Sequence, residues 1–286
     1  MTDTSTTEWS SRARDLLGEV FGFHGFRGDQ EAVIDHVIAG GDALVVMPTG
    51  GGKSLCYQLP ALVRPGVAIV ISPLVALMQD QVDALKQAGV AAACLHAGLN
   101  RMDADRIEAA AVTGDLDLLY VAPERLVRPH FLSMVERAAP SLFAIDEAHC
   151  VSQWGHDFRP EYRELAVLSE RFPGVPRLGL TATADEPTRR EIIEQLQLDQ
   201  ARSFVGGFDR PNICYRVVPK KRAKRRLFDF LQTHHEGESG IVYCMSRKKT
   251  EKTARWLTDK GIEALPYHAG MAQADRDEHQ RRFLKE

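Results

Sequence analysis

Three short groups of residues have the types and spacing for phosphate chemistry. The first is Pro48-Thr49-Gly50-Gly51-Gly52-Lys53-Ser54. Glycines let backbone N–H groups crowd around an anion, and a helix start beside them adds partial positive charge. In such a loop Lys53 would reach the β- and γ-phosphates of a nucleotide, and the Ser54 hydroxyl would ligate Mg²⁺. The strict pattern asks for glycine at position 47, where this chain has Met47. The second group is Asp146-Glu147-Ala148-His149. A phosphate loop needs a carboxylate for its Mg²⁺ at the end of a neighbouring strand, and Asp146 fits that role. Glu147 would polarise the attacking water as general base, and His149 would pass the nucleotide state onward. Alone, these four residues could equally be a solvated strand end; the Lys53 loop makes the catalytic reading the stronger one. The third group is Thr181-Ala182-Thr183-Ala184. Thr181 and Thr183 either couple the nucleotide site to a second ligand or form a plain turn or helix cap.

The flanking segments position these groups. Ala43–Met47 is an apolar run that predicts a buried strand, and a helix-like segment starts at Leu55. Strand, loop, helix is the context a phosphate loop requires. Further apolar runs at 67–72, 91–95, 116–121, 142–146 and 177–181 alternate with helix-like stretches at 74–87, 101–112, 130–138 and 161–171. That alternation predicts an α/β fold with a parallel sheet covered by helices. Glycines and a proline mark a seam near Phe204–Asn212. Beyond it, strands are predicted at 213–218, 240–244 and 263–267, with helices near 224–234, 247–259 and onward to 286. The expected organisation is a tail at 1–9, a first domain at 10–207 and a second, incomplete domain at 208–286.

An internal echo joins the halves. Gly89–Gly98 aligns without a gap on Gly261–Gly270, matching His96 with His268. The second half carries Met245-Ser246-Arg247-Lys248 where the first has its glycine loop, so one nucleotide site is expected. The basic run Lys220–Arg226 reads either as a solvated helix start or as a phosphate-contacting patch.

The 286 residues are 44% hydrophobic and 26% charged, with a net charge of −3. No global basic field marks a nucleic-acid binder, so any such groove is local. The five cysteines are scattered, without a C-x-x-C pair. No zinc site is therefore read here, and a reduced, cytoplasmic chain is expected (beside the nucleoid, if bacterial). The polar N-terminus has no signal-peptide core, and no apolar run is long enough for a membrane span.

In order along the chain, Met47–Ser54, Asp146–His149 and Thr181–Ala184 resemble the superfamily 2 helicases. Cys150-Val-Ser-Gln-Trp154-Gly-His156-Asp-Phe158-Arg159-Pro-Glu-Tyr162 narrows the resemblance to the RecQ DNA helicases. Phe21-Gly22 with Phe26-Arg27 and Gln30, Ser72–Leu74, Tyr120–Leu126, Phe208–Asn212 and Tyr267–Gly270 extend it over roughly 14–286. The resemblance implies two RecA-like domains and ATP-dependent, 3′→5′ unwinding of duplex DNA from a single-stranded track, in repair and recombination. It implies that Phe23 stacks on adenine while Arg27 and Gln30 contact the base. It also implies that Trp154, His156, Phe158 and Arg159 meet single-stranded DNA, and that Arg247 and His268 face its backbone. Base stacking on Trp154 or Phe158 suits any sequence, since every base has a π-face; either ring could instead be a core anchor.

The 286 residues contain neither the family's threonine-rich coupling motif nor its Gln…Gly-Arg-Ala-Gly-Arg motif. A truncated motor is therefore expected. Two other readings stay open: a non-catalytic ATP- and DNA-binding fragment, and an RNA-dependent ATPase of the wider superfamily.

Overall fold

The computed structural model describes residues 3–96, 98–152, 157–207 and 213–285. It divides into two units, Met1–Arg210 and Pro211–Glu286.

The first unit is built on seven parallel strands: β1 (Ala43–Val46), β2 (Val67–Ile71), β3 (Ala92–Leu95), β4 (Leu118–Val121), β5 (Pro140–Ile145), β6 (Arg177–Thr181) and β7 (Arg202–Val205). Their spatial order is β3-β4-β2-β5-β6-β1-β7. The apolar runs are continuous because both faces of such a sheet are covered. Alternate residues of one strand serve opposite faces: Leu44 and Val46 enter one core cluster, Ala43 and Val45 the other. On the first side Phe131, Phe143 and Leu168 pack together; on the second, Val33, Tyr57 and Met78 do so.

The order sets β5, β6 and β1 side by side. Their C-terminal ends lead directly into the acid group, the threonine group and the glycine loop. In open parallel sheets this is the edge where ligands bind. At the opposite end, Asp42 ties three strands together. Its carboxylate accepts from Arg177 N at 2.7 Å and from the Arg177 guanidinium at 2.6 Å, while its carbonyl accepts from Arg202 N at 3.0 Å.

Three expectations change. The tail is helix: Asp3–Glu19 is one element, because Trp9, Ala13, Leu16 and Leu17 share a face that packs with Ile34, Ile38 and Leu59. The stretch 161–171 is not one helix but Pro160–Arg163, a 3-10 turn and Val167–Arg171. The edge strand β7 and the helix Glu186–Gln195 gave no usable signal; β7 has four residues, of which only Phe204 is buried.

The second unit contains the helices Ala223–His234, Arg247–Thr258 and Gln273–Lys285. None of its three predicted strands forms among the described residues, so the expected second sheet is absent there. A strand exists only through a hydrogen-bonded neighbour. The segments carry no strand pairing, and Val217 is 97% and Tyr243 93% exposed. Ala254 and Leu257 are the buried apolar side chains of this unit among the described residues. The echo nevertheless survives locally. His96 Nδ1 accepts from Gly98 N at 3.1 Å, and His268 Nδ1 accepts from Gly270 N at 3.2 Å.

Candidate active site

The glycine loop leaves β1 and closes against its own carbonyls. Gly50 and Gly52 both have φ of +78°, a conformation that side-chain-bearing residues avoid. A Cβ at Gly51 would lie 2.9 Å from Pro48 O, so the loop tolerates no side chain there. Lys53 Nζ donates to Met47 O at 3.1 Å and Pro48 O at 3.4 Å. Ser54 directly precedes the helix Leu55–Val63 and makes no capping bond with its hydroxyl. Met47 is buried, and its N–H continues the sheet ladder to Thr181 O at 3.1 Å. The departure at this position therefore extends the strand, with its side chain in the core.

Gln30 closes the other side of the loop. Its amide donates to Gly51 O and Gly52 O, each at 3.2 Å, and accepts from Arg27 N at 2.8 Å. Phe23 is 46% exposed and Arg27 is also exposed, so their side chains are accessible to a ligand. Thr49 and Gly50 form the exposed lip of the loop.

Asp146 and Glu147 follow β5 at once. Asp146 N donates to Ile71 O at 2.9 Å, and Glu147 adopts φ of +50°. Burial, then the neighbouring Glu147, pushes the Asp146 carboxyl up to about 6. Burial lowers the pKa of Lys53, against the pull of Glu147 and Asp146. The hydrogen bond from His149 holds Glu147 below the usual carboxylate range. His149 Nδ1 lies 3.2 Å from Glu147 Oε2 and 2.9 Å from Thr181 Oγ1. The Thr181 hydroxyl donates to Thr183 O at 3.2 Å, so its oxygen accepts from His149 Nδ1–H, a donor shared with Glu147 Oε2. Glu147, His149, Thr181 and Thr183 thus form one polar chain linking the ends of β5 and β6.

The aromatic segment is placed in part. Trp154 and His156 lie outside the described residues. Phe158 is half-buried under the Arg163 guanidinium at 5.1 Å. Arg159 is turned inward, donating to Pro73 O at 3.2 Å and pairing with Asp157 at 3.7 Å. In the second unit, Arg247 opens its helix and lies exposed. His268 is largely buried, 3.2 Å from Glu251. Sequence reading assigned no role to Tyr162, whose buried hydroxyl donates to Asp146 O at 2.7 Å. Its signal was weak, one tyrosine in an aromatic-rich stretch.

The donor set suits Mg²⁺: the half-buried Asp146 carboxylate and, on the adjoining loop, the Ser54 hydroxyl. Cysteine spacing also missed one group. Donor atoms of His149, Cys150 and Asp157 lie within 4.8 Å of one another, the one such metal-competent cluster among the described residues.

A model of the DEAD/DEAH box helicases matches residues 27–192, more than half of the chain, including the glycine loop, the Asp146–His149 group and the two threonines. The chain belongs to the DEAD/DEAH box helicase family. Within it, this DEAD/DEAH chain is 46% identical to the ATP-dependent DNA helicase RecQ of Pasteurella multocida, over 96% of its own length and 43% of the relative's. It is 42% identical to the RecQ-like DNA helicase BLM of Xenopus laevis, over 97% of this chain and 21% of that one. The chain thus spans less than half the length of these relatives. Among solved structures, the DNA-bound DUF1998 helicase MrfA shares the fold with a TM-score of 0.73 at 18% identity, covering 94% of this chain and 42% of that one.

Proposed function

We propose that this chain is the ATP-binding portion of a RecQ-like DNA helicase, which couples Mg-ATP hydrolysis to 3′→5′ movement on single-stranded DNA and to duplex unwinding. The observation that carries the reading is the convergence of Lys53, the Asp146–Glu147 pair and the His149–Thr181 link on three adjacent strand ends. Support for RecQ-like chemistry comes from the 41–46% identity to relatives named as DNA helicases.

On binding, the loop N–H groups and Lys53 take the phosphates, and Lys53 exchanges its carbonyl partners for phosphoryl oxygens. Ser54 and Asp146 would hold Mg²⁺, which would supply neutralisation of the phosphate charge. Glu147, kept ionised by His149, accepts a proton from the attacking water. Phe23 stacks on adenine, while Arg27 and Gln30 contact its edge. Gln30 must then leave Gly51 O and Gly52 O, so base recognition and loop release are one event. Trp154, His156, Phe158 and Arg159 contact single-stranded DNA, and Arg247 and His268 contact its backbone. The His149–Thr181–Thr183 chain reports the nucleotide state.

The test is ATP turnover with single-stranded DNA, duplex DNA or RNA, using this chain and a version extended to the relatives' length. DNA-specific stimulation, abolished by Glu147→Gln, is the expected result. Equal stimulation by RNA favours the wider superfamily reading. No turnover in either protein, with ATP and DNA still bound, favours a non-catalytic role.

A further inference from the structure

Tyr162 takes no part in the chemistry above, yet it is fully buried and aims a hydroxyl at the catalytic peptide. Its acceptor, Asp146 O, belongs to the peptide unit that joins Asp146 to Glu147. That unit carries one acid on each side and leads into a left-handed residue at Glu147. Left-handed backbone is unfavourable for a side-chain-bearing residue, so outside bonds must hold it. One comes from β2, where Ile71 O accepts Asp146 N at 2.9 Å. Cys150 N donates to Glu147 O at 2.9 Å, and Tyr162 donates to Asp146 O at 2.7 Å.

The platform beneath Tyr162 is itself anchored. Tyr162 N donates to Arg159 O at 3.1 Å, and Arg159 N donates to Cys150 O at 2.9 Å. The Arg159 guanidinium donates to Pro73 O at 3.2 Å. Pro73 follows β2 and Asp146 follows β5, and these strands are neighbours. A single four-residue segment therefore straps two adjacent strand ends at the site.

We propose that Tyr162 is a positioning residue for the Mg²⁺-binding carboxylate, its hydroxyl fixing the Asp146–Glu147 peptide so that Asp146 stays aimed at the glycine loop. The proposal rests on the ATP reading of that loop.

The experiment titrates a fluorescent ATP analogue into the wild-type chain and Tyr162→Phe, each with and without Mg²⁺. The ring is kept, so the fold should persist. The affinity gained on adding Mg²⁺ is expected to fall about fivefold, the usual effect of one net hydrogen bond. Affinity without Mg²⁺ should stay at the wild-type value, and the melting temperature should fall by no more than the few degrees that one buried hydrogen bond is worth. In an Asp146→Asn background the same substitution should have no further effect, because both act through one carboxylate. An undiminished Mg²⁺-dependent gain in Tyr162→Phe overturns the proposal. So does a lowered melting temperature with equal loss of affinity in both conditions, which marks Tyr162 as ordinary core. A wild-type chain with no Mg²⁺-dependent gain overturns the ATP reading, and this proposal with it.

Discussion

Asp146 and Lys53 are both desolvated, with opposite consequences. Burial raises the carboxyl and lowers the ammonium, while each draws the other back toward its charged form. Mg²⁺ requires the ionised carboxylate, so Mg-ATP affinity should fall as pH drops through about 6, well above the ordinary 3.8. Asp146→Asn should weaken Mg-ATP binding and flatten that dependence. The stability effect runs the other way. A folded-state pKa above the unfolded value means that the nucleotide-free fold binds its proton more tightly. Its contribution to stability therefore rises as pH falls from about 6 toward 3.8. Asp146→Asn should accordingly melt higher than wild type at neutral pH without nucleotide. Calorimetry with and without Mg-ATP checks both signs. Lys53→Ala removes the charge-assisted phosphate contact, and equilibrium titration should show a tenfold to hundredfold loss of Mg-ATP affinity, about 1.5–3 kcal/mol.

At the scale of elements, the sheet holds the site from its far end. Asp42 satisfies β6 through Arg177 and β7 through Arg202, and its side chain is only 18% exposed. Asp42→Ala leaves the Arg177 guanidinium and a strand N–H without that acceptor. The cost of breaking such a pair is about 3 kcal/mol, on the order of 10 °C in melting temperature for a unit of this size. Thermal melts check this, and a variant melting within error of wild type would show the pair to be ornamental. The loop geometry at saturating Mg-ATP should remain, since Asp42 lies a strand length away from it. The aromatic segment is a second element-scale case. Phe158 is half-buried against Arg163, so its ring is partly committed before any ligand arrives. If it stacks on a base, Phe158→Ala should cost about 1–3 kcal/mol of single-stranded DNA affinity and leave nucleotide affinity alone. A large melting shift with unchanged DNA binding would place the ring in the core.

The two units differ in what holds them together. The first encloses a seven-stranded sheet between two apolar clusters. Among the described residues, the second has segments without ladder bonds and large apolar side chains in solvent, among them Val217, Tyr243 and Met245. Hydrogen exchange follows local opening, so amides of β1, β2 and β5 should exchange orders of magnitude more slowly than those of 213–218, 240–244 and 263–267. Comparable protection in both sets would contradict the unpaired arrangement.

The phosphate loop and the acids were legible in the sequence because their chemistry depends on residue type and short spacing. A glycine loop before Lys53-Ser54 and a strand ending in Asp146-Glu147 carry their meaning locally. The parallel sheet was legible for a related reason: strands covered on both faces must be continuously apolar, and β1, β2 and β5 are. Spacing alone could not show what Thr181 touches, and the structure supplies its partner. His149 reaches Thr181 across 32 positions of sequence, a contact that exists only because β5 and β6 pair. The inward turn of Arg159 toward Pro73, the clasp of Gln30 on the loop and the bond from Tyr162 to Asp146 O are of the same kind. The second unit marks the opposite limit. Its alternating pattern predicted strands, but pattern records only what a segment can bury. Whether it becomes a strand depends on a neighbour offering N–H and C=O groups at the right distance, and that is decided in three dimensions.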